Sequence, residues 1–467
     1  MLDNYTIKQS APLPEGQNPK ILKLRKAAAD GESEAVANLL KDKELNINGV
    51  NDKNGYTAFT YAVMNGHLES VGLLLADERT ILSTADKANG WSALAHAVRR
   101  NQVDILRAIV DDEKRRFASG STLKLRKEGE PRKTLHPRIN PQVLRDRDHR
   151  HMTPLLYAAG TGKVEMVRAL LDLPMSMDLP DQHGWTALTH AVVTNRIEVV
   201  RLLLDDSRTK LIKDKLGRTV LMHAASTGPE MVKVLLEYVE SRSLAIKNKI
   251  YDKVEKDKKD APKNGSLISE EVYADYVEGI VKENVLAPIF GTDDSNETVL
   301  HYAARLKNAG APVVAELLNA RRGDKRLIDP SARSGFGKTA LQLAIEHFDG
   351  NTKLLELLLN DKEIDVNLKD GDGNTALHNA VLKEQIEIVR LLLARDDIHI
   401  NLSNGSKKRP LDIALDMGLN DIAGVLFDIS RRASRFPGRT DGSAATSRLS
   451  SKSSNGIQIP GRARVIH

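Results

Sequence analysis

Residues 373–380 read Gly-Asn-Thr-Ala-Leu-His-Asn-Ala, and residues 386–393 read Ile-Glu-Ile-Val-Arg-Leu-Leu-Leu. The core of the first stretch is a Thr or Ser with an apolar residue two places on and Ala five places on. It recurs at Thr57-Phe59-Ala62, Ser92-Leu94-Ala97, Thr153-Leu155-Ala158, Thr186-Leu188-Ala191, Thr219-Leu221-Ala224, Thr298-Leu300-Ala303 and Thr339-Leu341-Ala344, with a worn copy at Arg409-Leu411-Ala414. Successive anchors lie 35, 61, 33, 33, 79, 41, 36 and 34 residues apart. Such a period means a stack of supersecondary units, each burying its apolar face against its neighbours.

The second stretch supplies the other half of the unit. Apolar runs about a dozen residues after the anchor, such as Val71–Leu75, Val199–Leu204, Met231–Leu236 and Ile388–Leu393, suit a second amphipathic helix behind the first. Nine residues after the anchor stand Gly66, Asn101, Gly162, Asn195 and Gly228, the residue types that best tolerate a left-handed helix ending. Two residues before it stand Gly55, Gly90, Gly184, Gly217, Gly337 and Gly373, as expected of a tight turn entering a Thr-capped helix.

In these residues the chain resembles the ankyrin repeat family, whose Gly-x-Thr-Pro-Leu-His-x-Ala and Val-Val-x-Leu-Leu patterns are matched by Gly373–Ala380 and Ile386–Leu393, over roughly residues 50–430. Pro follows the anchor only at Pro154 and Pro410, charged runs such as Asp77-Glu78-Arg79 replace the usual Gly-Ala, and Glu346-His347-Phe348 stands where the seventh turn is expected. The resemblance implies an all-α solenoid of helix-turn-helix units that binds proteins through its hairpin tips and the concave face of its inner helices.

The expected organisation is a disordered start over 1–19, a capping unit over 20–50, repeats over 51–111, a basic loop over 112–146, repeats over 147–237, an insertion over 238–292, repeats over 293–429 and a disordered basic tail over 430–467. The cap carries Leu22, Leu24, Ala27 and Ala28 on one helix and Val36, Leu39 and Leu40 on the next, joined by Asp30-Gly31. The insertion contains a mixed-charge linker, Asp252–Lys263, then a helical period at Val272, Tyr276, Val277, Ile280 and Val281, read as a degenerate repeat or a buttress, with a regulatory lid as the alternative. Zero cysteines exclude disulfides, zinc-thiolate sites and cysteine nucleophiles. With no apolar run for a signal peptide or membrane span, the expected location is intracellular, most simply cytoplasmic, and the expected state monomeric.

The net charge of +6 conceals an uneven distribution. The loop around 114–145 has ten Lys or Arg against two Glu, and the tail eight against one Asp, which leaves the repeat body at about −9. Arg431-Arg432-Ala433-Ser434 resembles a basophilic kinase substrate, making Ser434 a candidate phosphorylation site.

No catalytic, cofactor or metal residue is expected. Gly337-Lys338-Thr339 ends like a phosphate-binding loop, but Ala332 stands where that motif needs Gly, and the repeat itself accounts for Gly337 and Thr339. No His-Glu-x-x-His motif occurs, and the His149-Arg150-His151 cluster lacks a carboxylate at ligand spacing. His96, His190 and His223 share the place four after the anchor with Tyr61, Tyr157 and Tyr302, and read as a packing position.

Recognition remains. Just before the anchor, near the hairpin tip, the first four units carry Tyr56, Trp91, Met152 and Trp185, whereas later units carry Arg218, Glu297, Lys338, Asn374 and Lys408. Aromatic strips that can be desolvated anchor interfaces. Seven and eight residues after the anchor, Met64, Asn65, Arg99, Arg100, Val193 and Thr194 would line the adjoining concave face. The expectation is a non-enzymatic scaffold or adaptor for a protein partner, with both Trp side chains as contacts that contribute little to the fold. The alternative is a tether to nucleic acid, microtubules or an anionic membrane through the basic loop and tail, disfavoured because Phe117 and Phe436 are the only aromatics there.

Overall fold

In a computed structural model the protein is described over residues 18–51, 53–82, 84–118, 147–173, 176–260, 270–322 and 325–435. The expected disordered start and tail lie outside these residues, apart from 18–19 and 430–435. So do most of the basic loop and residues 261–269. The chain divides into two compact units at Ile212 and Lys213.

The first unit is built of helix pairs: α1 (Pro19–Asp30) and α2 (Ser33–Leu40), α3 (Ala58–Asn65) and α4 (Leu68–Ala76), α5 (Ala93–Arg99) and α6 (Val103–Ala118), α7 (Pro154–Thr161) and α8 (Val164–Leu171), α9 (Ala187–Val193) and α10 (Ile197–Asp205). First helices pack on first helices and second on second, α1 on α3 on α5 on α7 on α9.

The second unit begins with α11 (Val220–Ala225) and α12 (Pro229–Asp260), followed by α13 (Glu270–Val281), a π-helical turn at Lys282–Leu286 and α14 (Ala287–Phe290). The pairing then resumes: α15 (Val299–Arg305) and α16 (Gly310–Asn319), α17 (Ala340–Glu346) and α18 (Lys353–Asn360), α19 (Ala376–Leu382) and α20 (Ile386–Leu393), α21 (Pro410–Asp416) and α22 (Asn420–Arg435). Extended structure among the described residues is one antiparallel pair of two-residue strands, β1 (Arg321–Arg322) and β2 (Lys325–Arg326).

The anchors act as the sequence requires. Thr57 Oγ1 accepts the Thr60 backbone N–H at 3.1 Å, and Ser92, Thr153, Thr186, Thr219 and Thr339 cap their helices the same way. The Ala five residues on is wholly buried in nearly every unit, small enough to bring neighbouring helices close. Gly373 shows why glycine precedes the cap: its φ is +78°, and a Cβ there would lie 2.5 Å from the Gly405 backbone nitrogen in the next hairpin. The left-handed helix ending nine after the anchor is present at Asn101 and Asn195, and also at Lys307 and Glu384, which the sequence did not mark. In the seventh unit α17 stops at Glu346 and the turn lengthens, with Gly350 taking the positive φ.

Three boundaries differ from expectation. The helix α6 runs to Ala118, so a loop does not begin at 112. The mixed-charge stretch after Asp252 is helical through Asp260, continuous with α12, because its Lys, Glu and Asp run contains no breaker. The last helix continues through Ser430 to Arg435 before any tail can start. In the insertion, Val277, Val281, Val285 and Ile289 form a four-residue-spaced buried stripe, and α13, the π-turn and α14 contact α11 and α12. This segment therefore props the long helix from outside the repeat stack.

The charged runs after the second helices also have a structural role. Arg79 is held by Asp77 and donates to the carbonyls of Leu40, Asp42, Lys43 and Leu45 in the preceding unit. Arg208 does the same to Leu171 and Leu173, and Arg395 to Leu359, Asp361 and Ile364. A planar guanidinium with five donors thus satisfies the orphan carbonyls at the end of the previous helix.

Candidate functional site

The hairpin tip is fixed by an aspartate five residues before the anchor. One oxygen of Asp148 accepts the backbone N–H groups of Arg150 and Met152, both at 2.8 Å, closing the turn. The other accepts the Tyr157 hydroxyl at 2.5 Å and Trp91 Nε1 at 3.0 Å. Asp181 closes its turn onto His183 and Trp185 and binds His190 Nε2 at 3.1 Å. Asp214 binds His223 at 3.0 Å, Asp293 binds Tyr302 at 2.7 Å, and Asp86, one place earlier, binds His96 at 2.9 Å. The position shared by His and Tyr is therefore not merely a packing site. At His96, Tyr157, His190, His223 and Tyr302 it is the hydrogen-bond donor that ties the tip to its own first helix, whereas the Tyr61 hydroxyl accepts from Asn51 and Asn54.

The electrostatics follow from this wiring. Burial alone would push the Asp148 carboxyl up, but the bonds from Tyr157, Trp91 and the turn amides together hold it below the usual carboxylate range. Asp86 and Asp214 are lowered in the same manner. Burial raises the Tyr157 hydroxyl to about 12, with the Asp148 bond adding to the shift. Burial lowers His190 and His223 against the pull of their aspartates, which favours the neutral ring donating to carboxylate.

On this frame the aromatic residues form a ladder. The Tyr56 ring stands edge-on to Tyr61 at 5.3 Å and to His96 at 5.5 Å, and Trp91 stands edge-on to His96 at 5.4 Å and to Tyr157 at 6.3 Å. The Arg99 guanidinium lies 3.4 Å from the Trp91 ring centre and 5.6 Å from that of Tyr157. Trp185 stands on His190 at 5.4 Å, and with Met152, at the same place in its own repeat, it completes the row of half-buried side chains. Both Trp rings thus have a share in the fold as well as an exposed edge. The sequence expected contact residues with little structural role.

The concave positions divide. Asn65, Arg99, Arg100 and Thr194 are exposed, Val193 is half-buried, and Met64 is buried in the core of its own unit and offers no contact surface. Asn65 donates to the Ala29 carbonyl of the preceding unit at 2.7 Å, and Thr194 to His190 at 2.7 Å. Lys163 donates to the carbonyls of Val98 and Arg99, adding a cation beside the ladder.

The remaining motifs are absorbed by the repeat. Lys338 of the Gly-Lys-Thr run pairs with Glu346 at 2.6 Å while Thr339 caps α17. The His149-Arg150-His151 cluster forms the third hairpin tip, with His151 at φ +62°. Ser434 lies in the last turn of α22. No helix among the described residues is long and apolar enough to cross a membrane.

Several known proteins are similar to parts of the chain. A 122-residue stretch is 31% identical to I-Kappa-B like protein C2 of Microplitis demolitor bracovirus, covering 26% of this chain and 65% of that protein. Over 112 residues the chain is 32% identical to human transient receptor potential cation channel subfamily A member 1, covering 24% of this chain and 10% of the channel. Among solved structures, an ankyrin repeat domain from Acinetobacter baumannii AYE is 25% identical with a TM-score of 0.36, covering 46% of this chain and 96% of that one. The chain spans less than two thirds of either curated relative. The model of the family described as ankyrin repeats in three copies matches residues 24–117, 132–214, 272–370 and 349–433, and with most of its length accounted for in this way the chain belongs to the ankyrin repeat family.

Proposed function

We propose that the chain is a non-enzymatic adaptor and that it captures a protein partner on the tip-and-concave surface of its first unit, centred on Trp91 and Trp185 with Tyr56, Met152, Asn65, Arg99, Arg100 and Thr194 around them. Ankyrin repeats are protein–protein interaction modules, so the open matter is where on this chain the partner sits. The observation that carries the placement is the ladder of half-buried rings with Arg99 stacked across it. Rings held edge-on against their neighbours and a guanidinium stacked on Trp91 lose little entropy on binding, and aromatic and Arg side chains dominate interface energetics.

The test is quantitative capture from extract with the full chain, comparing wild type, the pair Arg99→Ala and Arg100→Ala, and Lys407→Ala on an exposed hairpin of the second unit. Removing two contact side chains worth about 1.4 kcal/mol each lowers affinity about a hundredfold. Partners lost in the Arg pair and retained in Lys407→Ala, at unchanged melting, support the placement. Identical capture by all three proteins overturns it.

A further inference from the structure

Within the second unit the neighbouring second helices α12 and α16 differ in length, and the difference opens a groove. Glu240 and Asn319 both stand twenty-one residues after their anchors. The helix α16 stops at Asn319, whereas α12 runs on past Glu240 to Asp260. Beyond Asn319 the chain turns through β1 and β2 instead of continuing as a helix beside α12. Between α12, the end of α16 and these strands lies a groove of about 360 Å³, a volume in the range of ligand sites. Leu236, Val239, Leu244 and Leu327 give it apolar walls, and Leu244 is 58% exposed there. Ser243 also lines the groove and is 3% exposed, yet its hydroxyl has no hydrogen-bond partner among the described residues. Ser241, two residues earlier, returns its hydroxyl to the Tyr238 carbonyl at 3.0 Å. A buried hydroxyl left without a partner costs free energy, and a ligand that supplies the bond recovers it.

The charges around the groove are ordered along it. Glu240 on α12 and Glu316 on α16 stand at its middle, and Lys247 and Arg321 at the end beyond α16, with Ser243. Seven residues of helix set Lys247 about 10 Å beyond Glu240 on the same face. Lys247 is half-buried and has no ion pair among the described residues, and Arg321 lies 3.7 Å from Glu363. With Lys233 and Glu237 the lining holds three bases and three acids.

We propose that this groove takes the C-terminal end of a partner protein. The terminal carboxylate sits on Lys247, Arg321 and the Ser243 hydroxyl, the last side chain is apolar and packs on Leu244 and Leu327, and a Lys or Arg about three residues upstream meets Glu240 and Glu316. The spacing follows from geometry, since three extended residues at roughly 3.3 Å each span the distance between the two charged ends. The equal number of bases and acids selects a ligand with one charge of each sign, because a phosphate or other dianion would leave Glu240 and Glu316 facing like charge. Built of second helices in the second unit, the site is separate from the tip-and-concave surface of the first.

Two pentapeptide libraries immobilised through their N-termini, one with free C-terminal carboxylates and one with C-terminal amides, are probed with the full chain. The carboxylate library yields binders that end in an apolar residue and carry Lys or Arg about three positions before it. Amidation of a selected peptide weakens binding about tenfold, as does Lys247→Ala, because each removes one partner of a charged pair. Ser243→Ala weakens binding about fivefold and leaves the melting temperature unchanged or higher, because the hydroxyl it removes bonds nothing in the free protein. A lower melting temperature in that variant would assign the hydroxyl to the fold and overturn the proposal. Glu240→Lys turns the upstream preference from Lys or Arg to Glu or Asp. A carboxylate library that yields no binder dependent on Lys247 overturns the proposal, as does equal binding of carboxylate and amide peptides, which would assign the groove to an internal segment of a partner.

Discussion

Trp91→Ala separates a ring that belongs to the fold from one reserved for a partner. In the free protein the substitution deletes the bond from Nε1 to the Asp148 carboxylate, the edge contacts to His96 and Tyr157, and the stacking of Arg99. A hydrogen bond to a charged acceptor is worth about 1.5–3 kcal/mol. An edge-to-face pair adds about 0.5–1.5 kcal/mol. The ring is half-buried and Asp148 keeps Tyr157 and its turn amides, so the lower ends of these ranges apply and the expected loss is about 2–3 kcal/mol. Trp91→Phe keeps the ring contacts and loses the N–H bond, with an expected cost of about 1.5 kcal/mol. Urea unfolding followed by Trp185 fluorescence, in the same unit, reads both variants. At a slope of about 1–2 kcal/mol per molar, Trp91→Ala moves the midpoint down by roughly 1–3 M, and Trp91→Phe moves it by less. If Trp91→Ala unfolds at the wild-type midpoint, the bond to Asp148 carries no weight in solution and the ladder does not preorganise the surface.

Two further outcomes follow from the same wiring. Tyr157, raised by burial and by Asp148 to about 12, keeps its proton in the folded chain where the unfolded chain has lost it, so this stability is complete below about pH 10 and declines as pH rises toward 12; Tyr157→Phe should flatten the alkaline limb, followed by circular dichroism. Arg395→Ala frees three carbonyls of the preceding unit and should cost about 2 kcal/mol, while Arg395→Lys recovers little because an ammonium cannot span them; a lysine variant as stable as wild type in thermal melts would refute the carbonyl staple.

The repeat was legible because its markers are local. A Thr cap bonds an amide three residues on, and a helix-ending glycine acts on its own turn, so each leaves a fixed mark in the sequence. The tip network was not read, although Asp148, Asp181, Asp214, Asp293 and Asp370 all stand five residues before an anchor. Their partners, Tyr157, His190, His223, Tyr302 and Asn379, lie nine residues on and approach only once the turn is folded. Arg79, Arg208 and Arg395 act over more than thirty residues, across a unit boundary, and looked like departures from the pattern rather than parts of it. Met64 was misplaced because position alone set its face; its burial depends on how the helix pair rotates against the preceding unit.

The tip position of the later repeats is the reason we propose recognition on the earlier ones. Arg218 pairs with Asp214 at 2.7 Å, Glu297 with Arg305, Lys338 with Glu346 at 2.6 Å and Lys408 with Asp416 at 2.7 Å. Each of these charges is already neutralised within its own hairpin, so a partner contacting it must either replace that pairing or leave it intact and gain little. The rings at Tyr56, Trp91 and Trp185 have met their structural requirements with one edge and keep the other available. Binding there desolvates apolar surface without breaking a bond, and the aspartates behind the rings have already taken the ordering cost during folding. Under the proposed placement the network that stabilises the tips also preorganises the surface, and a substitution in the tip aspartates should weaken the fold and the capture of a partner together.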